Sequence, residues 1–439
     1  MHLIWENLIK NLISLWTGDF KGLDEGTGSY VVDYTVWAAI GEATAASGST
    51  IPGCYGAHPP NFIKDKSATT ADTWSFWTLY IGPILLYKRF RDEKYYRHFI
   101  KLVKLLNICL QFTVTRAEIE VIREGFIDWV KEYEELYYQY DPMRVSTCPL
   151  TVHALLHIAD MIVLWGPVWA YWAFPMERFC GLIRPAIKSR KHPDASLDRY
   201  LLEVAQLFQI TLVYNAQDMS HVLHPRRNPS NPDDACTLLP PSPAGRLTGT
   251  TLRRISRCLS TRYNLEKQPG KLRALMAGAR MREFAQFRID EGDTISAASM
   301  NAFAEDRRDS SYIRYQILVD RNASRKNAPV EFEMQTFYAR LQHIIAVQIP
   351  KTPAAGVEDA ETVLLAGITD CDVYFKHDDL DIHYYKNESV TEQFIDLNCI
   401  QCLVGRVAHN SRVWAIIDRS GVLSRAIYTE DSAPDISSI

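Results

Sequence analysis

The sequence is short of several features, and each shortage excludes a class of protein. It has no excess of charge of either sign: 48 Lys and Arg against 52 Asp and Glu leave a formal net charge of −4. The chain as a whole is therefore not a polycation built to coat nucleic acid. It has no hydrophobic run of membrane-spanning length. The most apolar stretch, Ile158 to Phe174, is interrupted by Asp160, Gly166 and Pro167 and falls short of the ~20 clean residues a bilayer-crossing helix needs. The chain does not open on a cationic and then apolar leader; an amphipathic pattern with Glu6 and Lys10 inside it begins at once. The nine cysteines are odd in number and widely spread, which argues against a disulfide framework and for reduced thiols inside a cell. No internal repeat is found.

What is present is an ordinary globular composition, 47% hydrophobic and 23% charged over 439 residues, enough for two or three domains. The first half reads as helix and loop. Leu3, Ile4, Leu8, Leu12, Ile13 and Trp16 share one helical face. Asp72 is placed to cap a helix that Pro83 bends or ends, and Lys94–Leu110 is amphipathic. Thr115 and Glu118 form a capping box. Behind it Ile119, Ile122, Phe126, Trp129, Tyr133 and Leu136 make an inner face, opposite Glu120, Glu124, Asp128, Glu132 and Glu135. Ser196 is expected to cap a last long helix.

Pro225, Pro229, Pro232, Pro240, Pro241 and Pro243 then mark a linker. A basic segment follows. From Arg246 to Arg282 there are ten Lys or Arg against the single Glu266, a local charge of +9 that leaves −13 on the rest. Two helices are predicted in it, Thr251–Leu259 and Leu272–Arg288. From Tyr312 the pattern turns to five or six short β-rich runs between turn signals, with a hairpin at His409-Asn410-Ser411, which suggests a small barrel or curled sheet. The expected organisation is thus α+β: a mainly helical region over 1–223, a Pro-rich and basic linker over 224–309, and a small β-rich domain over 310–439.

Three constellations could carry chemistry. The stretch Thr151–Lys191 places two helical patterns around Gly166-Pro167. Trp165, Trp169, Tyr171, Trp172 and Phe174 lie between them, an aromatic density expected at a buried junction. Glu177 follows Pro175 in the first turn of the second helix, where the macrodipole favours a carboxylate; it is either catalytic or a helix-start acid paired with Arg178 or Arg184. His153, His157 and Asp160 fall near one helix face. Two histidines at i, i+4 can chelate zinc, with Cys148 or Cys180 as a third ligand, or they can satisfy each other's surroundings by hydrogen bonds. Cys399 and Cys402 form a lone C-x-x-C inside a strand pattern and read as core. Two basic patches suit phosphate contact: Arg253, Arg254, Arg257 and Arg262 in the strap, and Arg184, Lys188, Arg190 and Lys191 beyond Glu177.

The run G-P-V-W-A-Y-W-A-F-P-M-E-R-F at Gly166–Phe179, with His157 about two turns upstream, resembles the C-terminal half of CACTA-type (En/Spm) transposases, especially those of basidiomycete fungi. Further pieces agree: M-H-L-I-W-E-N-L-I at Met1–Ile9, L-W-T-G-D-F-K-G-L-D at Leu15–Asp24, C-P-L-T-V-H at Cys148–His153, F-Y-A-R-L at Phe337–Leu341 and R-V-W-A-I-I-D-R-S-G at Arg412–Gly421. The resemblance implies a DNA transposase with an RNase-H-like core, in which an Asp-Asp-Glu triad holds two Mg²⁺ ions. Glu177 would be its third carboxylate, and the helical region its tail and helical insertion. The other two acids of such a triad would precede Met1, so the resemblance implies a shortened, catalytically inactive chain that binds double-stranded DNA in the nucleus, with homo-oligomerisation open. The alternative is a module in which the β-rich domain recruits protein or chromatin partners and the helices serve as scaffold. A zinc hydrolase on His153 and His157 is the remote third reading.

Overall fold

Helix formation in the N-terminal region follows from local signals. The computed structural model describes residues 2–56, 58–65, 68–189, 191–214, 236–238, 248–289, 293–300, 308–322, 325 and 329–419. A wide-turned segment, His2–Leu8, runs into α1 (Ile9–Trp16). After it come α2 (Tyr34–Ala46), α3 (Ala71–Phe76), α4 (Gly82–Leu85), α5 (Glu93–Cys109) and α6 (Arg116–Tyr133). The Thr115–Glu118 capping box is present at α6, and Ile119, Ile122, Phe126, Trp129, Val130 and Tyr133 are buried along it. Asp92 caps α5 through the Lys94 N–H. At α3 the cap is Thr70, reciprocally bonded with Thr73, and not the expected Asp72, which sits in the first turn. Helices α5 and α6 lock together through an interchange of bonds. Trp129 Nε1 donates to the His98 carbonyl at 3.0 Å, and His98 Nε2 meets the Trp129 carbonyl at 3.1 Å.

Short helices α7 (Leu150–His153) and α8 (Ile158–Trp165) close this region. Val168–Asp234 forms a compact unit of its own, while His2–Pro167 and Ala235–Ile439 together form the other. In the smaller unit α9 (Phe174–Ile183) buries none of its residues. Helix α10 (Pro193–Val213) begins at Pro193, three residues before the expected cap Ser196. Among the described residues no single helix is long and apolar enough to cross a membrane.

Within the expected linker, residues 236–238, 248–289 and 293–300 are described and carry helices and strands. The prolines from Pro225 to Pro243, and Arg246, lie outside the described residues. Beyond them, Thr248 caps α11 (Gly249–Arg262), and α12 (Pro269–Gly278) follows. The predicted helix Leu272–Arg288 ends at Gly278 and gives way to strands. A Cβ at Gly278 would lie 2.8 Å from Pro350 Cγ, so the glycine permits close approach.

The strands are β1 (Cys236–Leu238), β2 (Arg280–Phe284), β3 (Gln286–Ile289), β4 (Thr294–Ser296), β5 (Tyr312–Asp320), β6 (Phe332–Ile349), β7 (Glu361–Lys376), β8 (His383–Glu388), β9 (Gln393–Asp396), β10 (Ile400–Leu403), β11 (Gly405–Ala408) and β12 (Trp414–Ile417). A small sheet has the order β1-β3-β4. The large one is nine-stranded and antiparallel, in the order β10-β5-β6-β7-β8-β12-β11, with β2 on β6 and β9 on β7. Only Val404 separates its two end strands in sequence, and the sheet curls into a nearly closed barrel. The expected hairpin joins β11 and β12.

Two strands are much longer than anticipated, at 18 residues (β6) and 16 residues (β7). Each is interrupted by a bulge, between Leu341 and His343 in β6 and between Val373 and Phe375 in β7, where the register against β8 also shifts between Cys371 and Val373. Bulges bend a strand; β6 pairs with β5 before its bulge and with β2 after it, while β7 pairs first with β9 and then with β8. Ile313, Tyr315, Ala339, Leu341, Ile344, Ala366 and Ile368 form one core with Phe287 and Ile295 of the small sheet. A second core places Ile255, Leu259 and Leu275 of α11 and α12 against Ile345, Val347, Ile349, Val363 and Leu365.

The helical region and the barrel are bonded to one another. Arg406 N–H donates to the Thr50 carbonyl at 3.0 Å and Asp309 N–H to that of Ser49 at 2.9 Å. Tyr55 Oη donates to the Leu403 carbonyl at 2.7 Å. On another side, Tyr96 Oη and His377 Nε2 are 2.9 Å apart, and Lys104 pairs with Asp379 at 2.9 Å.

Candidate nucleic-acid interface

The basic segment is shaped by its apolar spacing. Ile255 and Leu259, four residues apart, face the sheet, so the cations between them divide by direction. Arg253 and Arg257 point outward and are exposed. So are Lys267, Lys271 and Arg273 on or beside α12, and Arg280 and Arg282 on β2. None of these seven has a carboxylate within ion-pair distance among the described residues. An exposed guanidinium or ammonium without an acid beside it is available to a phosphate, whose neutralisation releases counterions.

Arg254 and Arg262 are placed otherwise. Arg254 Nη1 lies 2.7 Å from Glu392 Oε2, and Arg262 is bonded to Asp396. Burial works against the Arg262 charge, but the bond to Asp396 and the attraction of that carboxylate outweigh it and raise the guanidinium above its ordinary value. These two arginines, expected to contact DNA, are committed to fastening α11 onto the β9 region.

Behind Arg254 lies a cluster with no local sequence signal, since its members are far apart in the chain. His343 Nδ1 is 2.6 Å from Glu283 Oε1, and His343 Nε2 is 3.4 Å from Glu392 Oε1. The β6 bulge sets the position of His343. Gly367 makes room for Glu392, whose Oε1 would be 2.7 Å from a Cβ there. Ser299 Oγ approaches His343 Nδ1 at 3.2 Å. A nucleophile relay needs the hydroxyl and the carboxylate on opposite ring nitrogens. Here carboxylates stand at both ring nitrogens, Glu283 at Nδ1 and Glu392 at Nε2, and the Ser299 hydroxyl is spent on the Gln342 carbonyl, so the cluster is a clasp and not a relay.

A second unanticipated feature is an open cavity of about 580 Å³ on the barrel, with Tyr385, Glu388, Asp372 and Lys386 in its wall. Arg406 forms part of it. Its guanidinium carbon is 3.5 Å from the Tyr312 ring centroid and 4.6 Å from that of Trp414. Nη1 donates to Tyr385 Oη at 2.9 Å and Nη2 to Asp309 at 3.1 Å. Arg406 is thus tied on both sides, and the acids around it disfavour a phosphate.

The other sequence-derived residues are dispersed. Glu177 lies in the first turn of α9, with its N–H on the Ala173 carbonyl at 2.9 Å, and is exposed. Of the aromatic residues expected to surround it, Trp169 is 40% and Tyr171 42% exposed. Arg184, Lys188 and Lys191 are exposed, but they do not extend the helix of Glu177, because α9 ends at Ile183 and Pro185 follows. Arg190 lies outside the described residues. Among the described residues no three His, Cys, Asp or Glu groups are placed to hold a metal ion.

His153 and His157 are brought together, Nε2 to Nε2 at 3.2 Å, with both rings exposed. Two nitrogens sharing a tetrahedral zinc at ~2.0–2.1 Å each would stand about that far apart. Asp160, the third group on that face, is turned to Arg123 Nη1 at 2.6 Å. Cys402 lies in β10 while Cys399 ends the short turn before it, so the C-x-x-C pair does not share a strand. Comparison with protein-family models, with curated proteins and with solved structures found no match.

Proposed function

We propose that this chain is a transposase-derived protein of the CACTA type that binds double-stranded DNA through the outward face of α11 and the neighbouring cations, and that it acts in the nucleus. The observation that carries the reading is the set of exposed cations from Arg253 to Arg282 without acidic partners, on a chain whose remainder is acidic. The dispersed motifs that resemble the transposases supply the family. Glu177 would be the remnant of a metal-holding triad. Two divalent ions need several carboxylates converging on them, so this chain is expected to bind DNA without cutting it. His153 and His157 would add a zinc-binding pair outside the chemistry.

Binding of a labelled duplex, followed by fluorescence anisotropy across a salt series, tests the reading. The Arg253→Ala/Arg257→Ala double variant should bind more weakly. Its log–log salt slope should fall by about 2, near 0.9 for each lost phosphate contact. Arg254→Ala should leave that slope unchanged, since its charge is already used by Glu392. An unaltered affinity and slope in the double variant would remove α11 from the interface, and Mg²⁺-dependent nicking of the duplex would overturn the inactivity.

A further inference from the structure

A second cavity, of about 520 Å³, lies in the helical region between α1, α2, α3 and the loop around Phe62. That volume is in the range of sites for small organic molecules. Its wall is aromatic: Phe62 stands between Trp37 and Trp74, with ring centroids at 5.7 and 5.3 Å. The wall depends on a glycine. A Cβ at Gly41 of α2 would lie 2.7 Å from Asn61 Oδ1 and 2.8 Å from Ile63 Cδ1, so only glycine lets the loop carrying Phe62 approach the helix this closely.

The polar groups at the cavity are unequal. Lys10 is half-buried on the wall and has no carboxylate within ion-pair distance among the described residues. Trp74 is 6% exposed, and its indole Nε1–H finds no acceptor among the described residues. Three other buried tryptophans do have one. Trp16 Nε1 donates to Tyr137 Oη, Trp77 Nε1 to Thr44 Oγ1 and Trp129 Nε1 to the His98 carbonyl. A buried donor without a partner is rare and calls for an explanation. Here it belongs to a residue lining an aromatic cavity whose wall also holds Lys10. Asp19, the acid of the wall, is exposed.

From this arrangement we propose that the cavity is a binding site for a small aromatic molecule bearing an anionic acceptor group. The ring lies against Phe62 and Trp74, and the acceptor is held by Lys10 and by Trp74 Nε1–H, which is sealed in this structure and reaches the acceptor by a shift of the indole. The site is independent of the DNA reading. Its basis is the apolar walls, the unmade hydrogen bond and the free ammonium.

The test uses the full chain and 2-naphthoate as probe, titrated by calorimetry, with 2-naphthylmethylamine as the cation of similar shape. Saturable binding of one 2-naphthoate per chain is expected, stronger than that of the amine. Trp74→Phe keeps a ring and removes the N–H, and should weaken 2-naphthoate about five- to tenfold, the worth of one hydrogen bond. Lys10→Met, at a more exposed position, should weaken it similarly while leaving a neutral naphthalene unaffected. Absence of 2-naphthoate binding, equal binding of the amine, or unchanged affinity in both variants would each overturn the proposal.

Discussion

A buried imidazole gives the clearest single-residue consequence. His98 is 1% exposed and stacks on the Trp129 ring with centroids 4.3 Å apart. Burial pushes its pKa down to about 3, against the smaller upward pull of the Trp129 carbonyl. The ring is therefore neutral in the folded protein, whereas the unfolded chain protonates it below its usual value of about 6.5. Above that value His98 leaves stability independent of pH. As pH falls from about 6.5 towards 3, unfolding takes up a proton and stability declines by as much as ~1.4 kcal/mol per pH unit. Burial also holds His377, His383 and His409 below their ordinary values, so they add to the same decline. Urea unfolding of the protein and of His98→Gln at pH 7, 5.5 and 4.5 separates the parts. The variant should be less stable at pH 7 but lose stability less steeply below pH 6, by about one proton. Parallel pH profiles would refute the assignment.

At the scale of elements, α11 shows how ion pairs and apolar packing divide a helix. The Arg254–Glu392 pair is partly buried, with side-chain exposures of 37% and 10%. Removing the arginine leaves Glu392 facing His343 in a confined space. Arg254→Ala should therefore cost about 1–3 kcal/mol, between the values for exposed and for buried pairs. Glu392→Ala combined with Arg254→Ala should cost less than the two single changes added, a coupling that a double-mutant cycle on unfolding free energies measures. Strict additivity would mean that the pair does not hold the helix. The same helix shows what sequence conveys. The spacing of Ile255 and Leu259 was legible, as were the capping box and inner face of α6, because those signals lie within a few residues. The partners of Arg254 and Arg262 were not, because Glu392 and Asp396 are more than a hundred residues away. For the same reason the short strands expected after Tyr312 are in fact the long, bulged β6 and β7. Their apolar alternation slips at each bulge, and the slip makes sense only beside the paired strands. Arg280 to Phe284 read as helix because its apolar residues fit that period, yet its pairing with β6 decided the outcome.

At the scale of the whole molecule, Tyr55 is one of the groups that join the helical region to the barrel. It is 8% exposed, and its hydroxyl donates to the Leu403 carbonyl at 2.7 Å, with that of Ile417 at 3.3 Å. Those carbonyls end β10 and β12, so one side chain from the helical region secures the place where the barrel closes. Arg419 Nη1 in turn donates to the Tyr55 carbonyl at 2.9 Å. Burial dominates the phenol and raises its pKa well above the ordinary value, so it remains a protonated donor at neutral pH. Tyr55→Phe keeps the ring and leaves two buried carbonyls without their donor, at a cost of about 1–2 kcal/mol. Hydrogen exchange reads whether that loss is local or shared. In a single cooperative body, amides of α5 and α6 and those of β10 to β12 should all exchange faster by the same factor, roughly 5- to 30-fold. Acceleration confined to residues 50–56 and the strand ends would instead mean that the helices and the barrel hold their structure separately, and that the bonds between them position the parts without stabilising them.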